Sequence, residues 1–179
     1  MLNKGGLNYA HKMRVSLVLI NNRLVPRSRI AMQTLQDMNM TSTKTNVIRT
    51  TLIAPCGMNC RLCCAHTRDK NACPGCRGDN SVKPKTRVTC QIKNCEKIRQ
   101  DNARYCFSCD NFPCDRLNHL DERYRTKYGM SMIDNLVHIK KLGIRHFIRS
   151  EKEKWACPEC RQLICVHKPQ CFFCGHKWR

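Results

Sequence analysis

Residues 54–64 read APCGMNCRLCC and place four thiols, Cys56, Cys60, Cys63 and Cys64, within nine positions. The first three keep a C-x-x-x-C-x-x-C spacing that can hold an iron–sulfur cluster, and the same spacing can supply part of a structural zinc site. Which of these the stretch serves depends on the chain around it. The chain has 179 residues, which suits one domain or one domain with a small appendage. Its hydrophobic fraction of 41% includes 16 cysteines, so the remaining apolar residues are few for a large core. Domains short of apolar area recruit disulfides or metals.

The cysteine pattern favours metal. Cys60/Cys63, Cys73/Cys76, Cys106/Cys109, Cys157/Cys160 and Cys171/Cys174 are all C-x-x-C pairs. A two-residue gap lets two thiolates converge on one tetrahedral ion with bonds of about 2.3 Å, whereas disulfide frameworks spread their cysteines to close loops. The run VSLVLI at 15–20 is too short for a signal-peptide core or a membrane span. The expectation is a reduced, cytoplasmic protein without a membrane segment.

Formal charge is +20, but residues 1–50 hold eight Lys and Arg against one Asp, a net +7, which leaves +13 for the rest. Three four-thiolate zinc sites, each about −2, would bring that part near about +7. Nucleic-acid binding is compatible with this balance but not demanded by it.

Four segments differ in composition. Residues 1–40 lack cysteine and are expected to be a disordered extension or an upstream mis-start. Residues 47–114 hold eleven of the 16 cysteines and form a metal-binding module, with turn-rich CPGCRGDNSVKPKTR at 73–87 and a short helix at CEKIRQDNA, 95–103. Residues 115–155 read as helices: Leu117, Leu120, Tyr124 and Tyr128 share a stripe that ends at Gly129. Ser131 and Asp134 start a second helix, on which Ile133, Leu136, Val137 and the Lys140 stem share a face, and Gly143 stops it. Ile144, Phe147, Ile148 and Trp155 share a face of a third. Residues 156–179 contain two knuckles, Cys157-Pro-Glu-Cys160 and Cys171-Phe-Phe-Cys174-Gly175, ten residues apart, and predict a zinc ribbon. Cys165 and His167 lie between the knuckles as substitute ligands; the simpler reading packs one inside and turns the other to solvent.

In the central module the eleven thiols exceed what two tetrahedral ions need. The partition expected is Cys60, Cys63, Cys73 and Cys76 for one ion and Cys90, Cys95, Cys106 and Cys109 for another. Cys56, Cys64 and Cys114 are left over, with Cys56 and Cys114 as additional metal or redox positions. Radical S-adenosylmethionine enzymes share the 56–63 spacing, but their barrel needs about 200 residues or more, and only about 115 follow Cys63. A ferredoxin-type C-x-x-C-x-x-C-x-x-x-C-P run also fails, because Cys64 and then Cys73-Pro74 follow. No phosphate loop or dinucleotide fingerprint appears, and the histidines lack an acid–base partner at recognisable spacing, so no catalytic residue is assigned.

LIAPCGMNCRLCC, CPGCRG, the run CFSCDNFPC with the following KYG, and KWACPECRQLICVHKPQCFFCG together resemble a cysteine-rich prokaryotic family, domain of unknown function 3795. The resemblance spans about residues 50–155, with the C-terminal ribbon a companion. It implies zinc binding and carries Cys56, Cys60, Cys63, Cys73, Cys76, Cys95, Cys106, Cys109 and Cys114 over as family positions, while Cys64 is extra. The expected fold is a small α+β or irregular metal-stabilised protein with about three zinc ions. The expected role is a binding module whose basic loop Lys83–Arg87 and residues Lys140, Lys141, Arg145 and Arg149 meet nucleic acid or an acidic protein. The alternative is an iron–sulfur or thiol redox protein using the surplus cysteines.

Overall fold

Proline, glycine and asparagine interrupt residues 46–94 so often that only single turns of helix form there. The computed structural model describes residues 17–20, 23–26 and 46–179. The chain divides into two units, Met1–Lys44 and Thr45–Arg179. In the first, β1 (Leu17–Ile20) and β2 (Arg23–Pro26) pair antiparallel, from Leu17 opposite Pro26 to Ile20 opposite Arg23. The rest of the expected extension, 1–40, lies outside the described residues.

The second unit begins with two single 3-10 turns, Thr50–Leu52 and Cys60–Leu62, and the one-turn helices α1 (Cys64–Thr67) and α2 (Lys85–Val88). Next come α3 (Glu96–Gln100), a 3-10 turn at Cys106–Ser108, and two long helices, α4 (Asp115–Tyr128) and α5 (Met132–Lys154). Gly129, at φ 64°, ends α4 in the left-handed cap conformation, with its N–H donating to the Arg125 carbonyl. Ser131 caps α5 as its Oγ accepts from the Asp134 N–H at 3.0 Å. Gly143 (φ 82°, ψ 161°) leaves helical geometry inside α5, so α5 is two helical arms that meet at Gly143, the stop expected between the second and third helices.

The buried face of the first arm is Met132, Asn135, Leu136 and Ile139, while Lys140 is exposed. The expected face is therefore rotated, because Met132 at the cap is drawn into the core beside Met130. Ile53, Leu62, Leu117, Met130, Met132, Leu136, Phe147 and Val166 are the fully enclosed apolar residues, and they come from all three segments of the unit. Backbone bonds tie the segments as well: Cys106 N–H donates to Pro55 O, Val166 N–H to Leu62 O and Ile164 N–H to Trp155 O.

Two buried acids complete this framework. Asp121 accepts from Ser131 Oγ (2.7 Å), the Ile133 N–H (3.0 Å) and Arg125 (2.7 Å), which joins the end of α4 to the start of α5. Glu151 accepts from Asn59 Nδ2 and Trp155 Nε1, both at 3.1 Å, so the last arm of α5 holds the turn that carries Cys60. Burial pushes its carboxyl above the ordinary range, against the pull of those two donors.

Candidate metal centre

The C-terminal knuckles are built alike. In the first, Cys157 N–H donates to Gln162 O and Arg161 N–H to Cys157 O; in the second, Cys171 N–H donates to His176 O and Gly175 N–H to Cys171 O. The residue after each second cysteine has positive φ, 60° at Arg161 and 74° at Gly175. Glycine adopts that conformation freely, and arginine does so at a cost. The turns bring four sulfurs together, with Cys157, Cys160, Cys171 and Cys174 all within 4.8 Å of one another. Sγ–Sγ distances of 3.6 Å separate Cys157 from Cys174 and Cys160 from Cys171. Thiolates on a tetrahedral ion with 2.3 Å bonds sit about 3.8 Å apart, and a disulfide needs about 2.05 Å. The four donors therefore fit a closed tetrahedral metal site. Each knuckle is flanked by a single antiparallel bridge, Ala156 with Leu163 and Gln170 with Lys177, and residues 156–179 contain no regular strand.

The central cysteines gather around two clefts. One, of about 690 Å³, is lined by Cys95, Cys106, Cys109 and Cys114. The other, of about 440 Å³, is lined by Cys56, Cys60, Cys63, Cys73, Cys76 and Cys90. The sequence partition put Cys90 with Cys95, Cys106 and Cys109. In the structure Cys90, which follows α2, faces the second cleft, and Cys114 at the start of α4 stands beside the other three.

Residues 52–119, from the last residue of the first 3-10 turn into α4, match the model of a family described as Protein of unknown function (DUF3795). Over this segment the chain is similar to that family. No curated protein and no solved structure matches the chain. Both clefts are lined mainly from the DUF3795 segment, and the four-cysteine site lies outside it.

All 16 cysteines are free thiols. Within the DUF3795 segment burial pushes Cys56, Cys60 and Cys106 up to about 12, and neighbouring sulfurs reinforce the effect. For Cys106 those neighbours are Cys114, Cys95 and Cys109; for Cys60 they are Cys76, Cys56 and Cys63. Backbone N–H groups oppose this: Cys76 N–H donates to Cys60 Sγ at 3.3 Å. In the four-cysteine site burial raises Cys157, but the N–H groups of Cys160 and Glu159 and the Cys174 thiol outweigh it and bring Cys157 down to about 7. Cys160 is pushed up to about 12, by burial first.

Three residues take places that spacing along the chain does not show. Lys83 is 8% exposed and donates to Cys76 O at 2.8 Å and to Asn80 Oδ1 at 3.0 Å, so it braces the turn after Cys76 and is withdrawn from any binding surface. Of the pair between the knuckles, Cys165 is buried and His167 is half-buried: it lies against the rings of Tyr124 and Tyr128 and accepts at Nδ1 from the Cys64 N–H at 3.3 Å. Cys64, extra by family likeness, comes with it into a second group of metal-capable atoms, Cys63, Cys64 and His167, within 4.8 Å of one another. Sequence distance concealed that group, since 103 residues separate Cys64 from His167. The Gly143 kink likewise sets His138 Nε2 2.9 Å from His146 Nδ1, a pairing that spacing along the chain does not show.

Proposed function

We propose that the protein is a zinc-binding interaction module in which the ions are structural. The observation that carries this reading is the convergence of Cys157, Cys160, Cys171 and Cys174 at tetrahedral spacing. The two clefts of the DUF3795 segment supply enough thiols for two more ions, one among Cys95, Cys106, Cys109 and Cys114 and one among Cys60, Cys63, Cys73, Cys76 and their neighbours Cys56 and Cys90. Apparent free energies of about 10–16 kcal/mol per structural zinc exceed the stability of a small domain. Removal of metal by a strong chelator is expected to abolish the helical circular dichroism and to expose the chain to protease. Unchanged dichroism and protease resistance after complete metal removal would defeat the reading.

The partner proposed is nucleic acid. Lys140, Lys141, Arg145 and Arg149 are exposed on α5, and Phe172 and Phe173, each 54% exposed, occupy the tip of the second knuckle. Exposed rings together with exposed cations suit single strands, on which bases stack. Affinity for a single-stranded oligonucleotide is expected to fall steeply with salt, and Phe172→Ala with Phe173→Ala to weaken it. Salt-insensitive or undetectable binding would turn the search to an acidic protein.

A second reading has its own observation. Six cysteines around one 440 Å³ cleft can also hold an iron–sulfur cluster. A brown protein with bound iron after anaerobic purification would favour it; a colourless one with stoichiometric zinc would exclude it.

A further inference from the structure

The group Cys63, Cys64 and His167 belongs neither to the C-terminal quartet nor to the family pattern as a whole. Cys64 begins α1, and His167 follows Cys165 in the C-terminal segment, outside the matched residues. The ligand atoms of all three lie within 4.8 Å of one another, and all three residues are half-buried. About 1 Å of closure brings such atoms to the spacing of a tetrahedral ion.

The imidazole is already oriented. A backbone N–H can only donate, so the 3.3 Å contact from Cys64 N–H makes Nδ1 the acceptor. The neutral ring then carries its proton on Nε2, which donates to Tyr124 Oη at 3.1 Å. Histidine ligands to metals are commonly held in this way, with the far nitrogen donating to an outer group that sets the tautomer. Tyr124 and Tyr128 also pack edge-on against the ring, with centroids at 5.6 Å and 4.7 Å. The long bond from Cys64 N–H is the one contact that an ion on Nδ1 would replace.

We propose that Cys63, Cys64 and His167 form a further metal site, a two-thiolate, one-imidazole set for a thiophilic divalent ion such as zinc, which clasps the DUF3795 segment to the C-terminal segment. Sulfur with imidazole nitrogen selects zinc over hard cations such as magnesium or calcium. Three ligands leave one tetrahedral position for water, so this ion exchanges faster than one enclosed by four thiolates. Assigning Cys63 here leaves Cys56, Cys60, Cys73, Cys76 and Cys90 around the second cleft, still one more than a tetrahedral ion requires.

The site adds to the structural-zinc reading and stands or falls separately from it. The full chain, purified with zinc, is analysed for metal content as wild type and as Cys64→Ser, His167→Ala and Cys157→Ser. Cys64→Ser and His167→Ala are each expected to lose about one ion per chain, the same ion in both, so that the double variant loses no more. X-ray absorption at the zinc edge of the wild type is expected to show an imidazole contribution that His167→Ala removes. A folded His167→Ala with wild-type zinc content overturns the proposal. So does a wild-type spectrum with sulfur ligands alone, a result that needs no variant to fold. Cys157→Ser reports on the quartet: if it retains all its zinc while His167→Ala does not, the quartet assignment fails and this one stands.

Discussion

Gly57, directly after the first cysteine of APCGMNCRLCC, shows how closely that stretch is fitted. Its φ of 85° favours glycine, and a Cβ there would sit 2.6 Å from Met132 O and 3.0 Å from Leu136 Cγ. Its own carbonyl accepts from Asn135 Nδ2 at 3.0 Å. The loop that carries Cys56 and Cys60 thus lies directly on the start of α5. Gly57→Ala is expected to destabilise the zinc-loaded protein by about 2–4 kcal/mol, from backbone strain and the shift of α5 together. Urea denaturation measures it; a change below about 0.5 kcal/mol would mean that the contact is not held in solution. The helix it touches lies some 75 positions away in sequence.

At the scale of elements, the α4–α5 corner rests on one carboxylate. Asp121 falls on the stripe that Leu117, Leu120 and Tyr124 define, and periodicity alone would ask for an apolar residue there. The three donors it accepts from explain the exception: it holds the Ser131 hydroxyl and the Ile133 N–H at the first turn of α5, where helix N–H groups lack partners. Asp121→Ala is expected to cost about 2–4 kcal/mol, because the cap and the buried donors lose their acceptor together. Asp121→Asn should recover part of this, since one side-chain oxygen remains; equal losses in both variants, by denaturant titration, would point to packing as the cause. The α4 stripe, the Ser131 cap and the Gly143 break were legible from spacing, whereas the rotation of α5 was not. Leu136 is core on either reading, and only the position of Met130 and Met132 decides which neighbours join it.

On the whole-molecule scale, the hold of the proposed metal sites depends on protons. Cys56, Cys60, Cys106 and Cys160 are pushed up to about 12, so at pH 7 they are thiols that an ion must deprotonate on binding. Cys157, near 7, is half ionised beforehand. Raised thiol pKa values favour the protonated, metal-free form as pH falls, so zinc affinity is expected to drop about tenfold per pH unit for each proton released between about pH 8 and 6. Competition with a chromophoric chelator across that range measures it, and a flat profile would show that the thiolates are already formed without metal. Among the described residues no helix is long and apolar enough to cross a membrane, in keeping with the short apolar runs of the sequence. By itself the sequence determined that this chain would fold around thiols in C-x-x-C turns, because two-residue spacing is a local property that backbone geometry converts directly into a pair of converging sulfurs. Which pairs meet was decided only by tertiary structure. Cys90 lines one cleft with the cysteines before it and Cys114 lines the other with Cys95, Cys106 and Cys109, and His167 crosses the unit to reach Cys64, because a core shared by three distant segments, and not the spacing of ligands, sets where each turn is held.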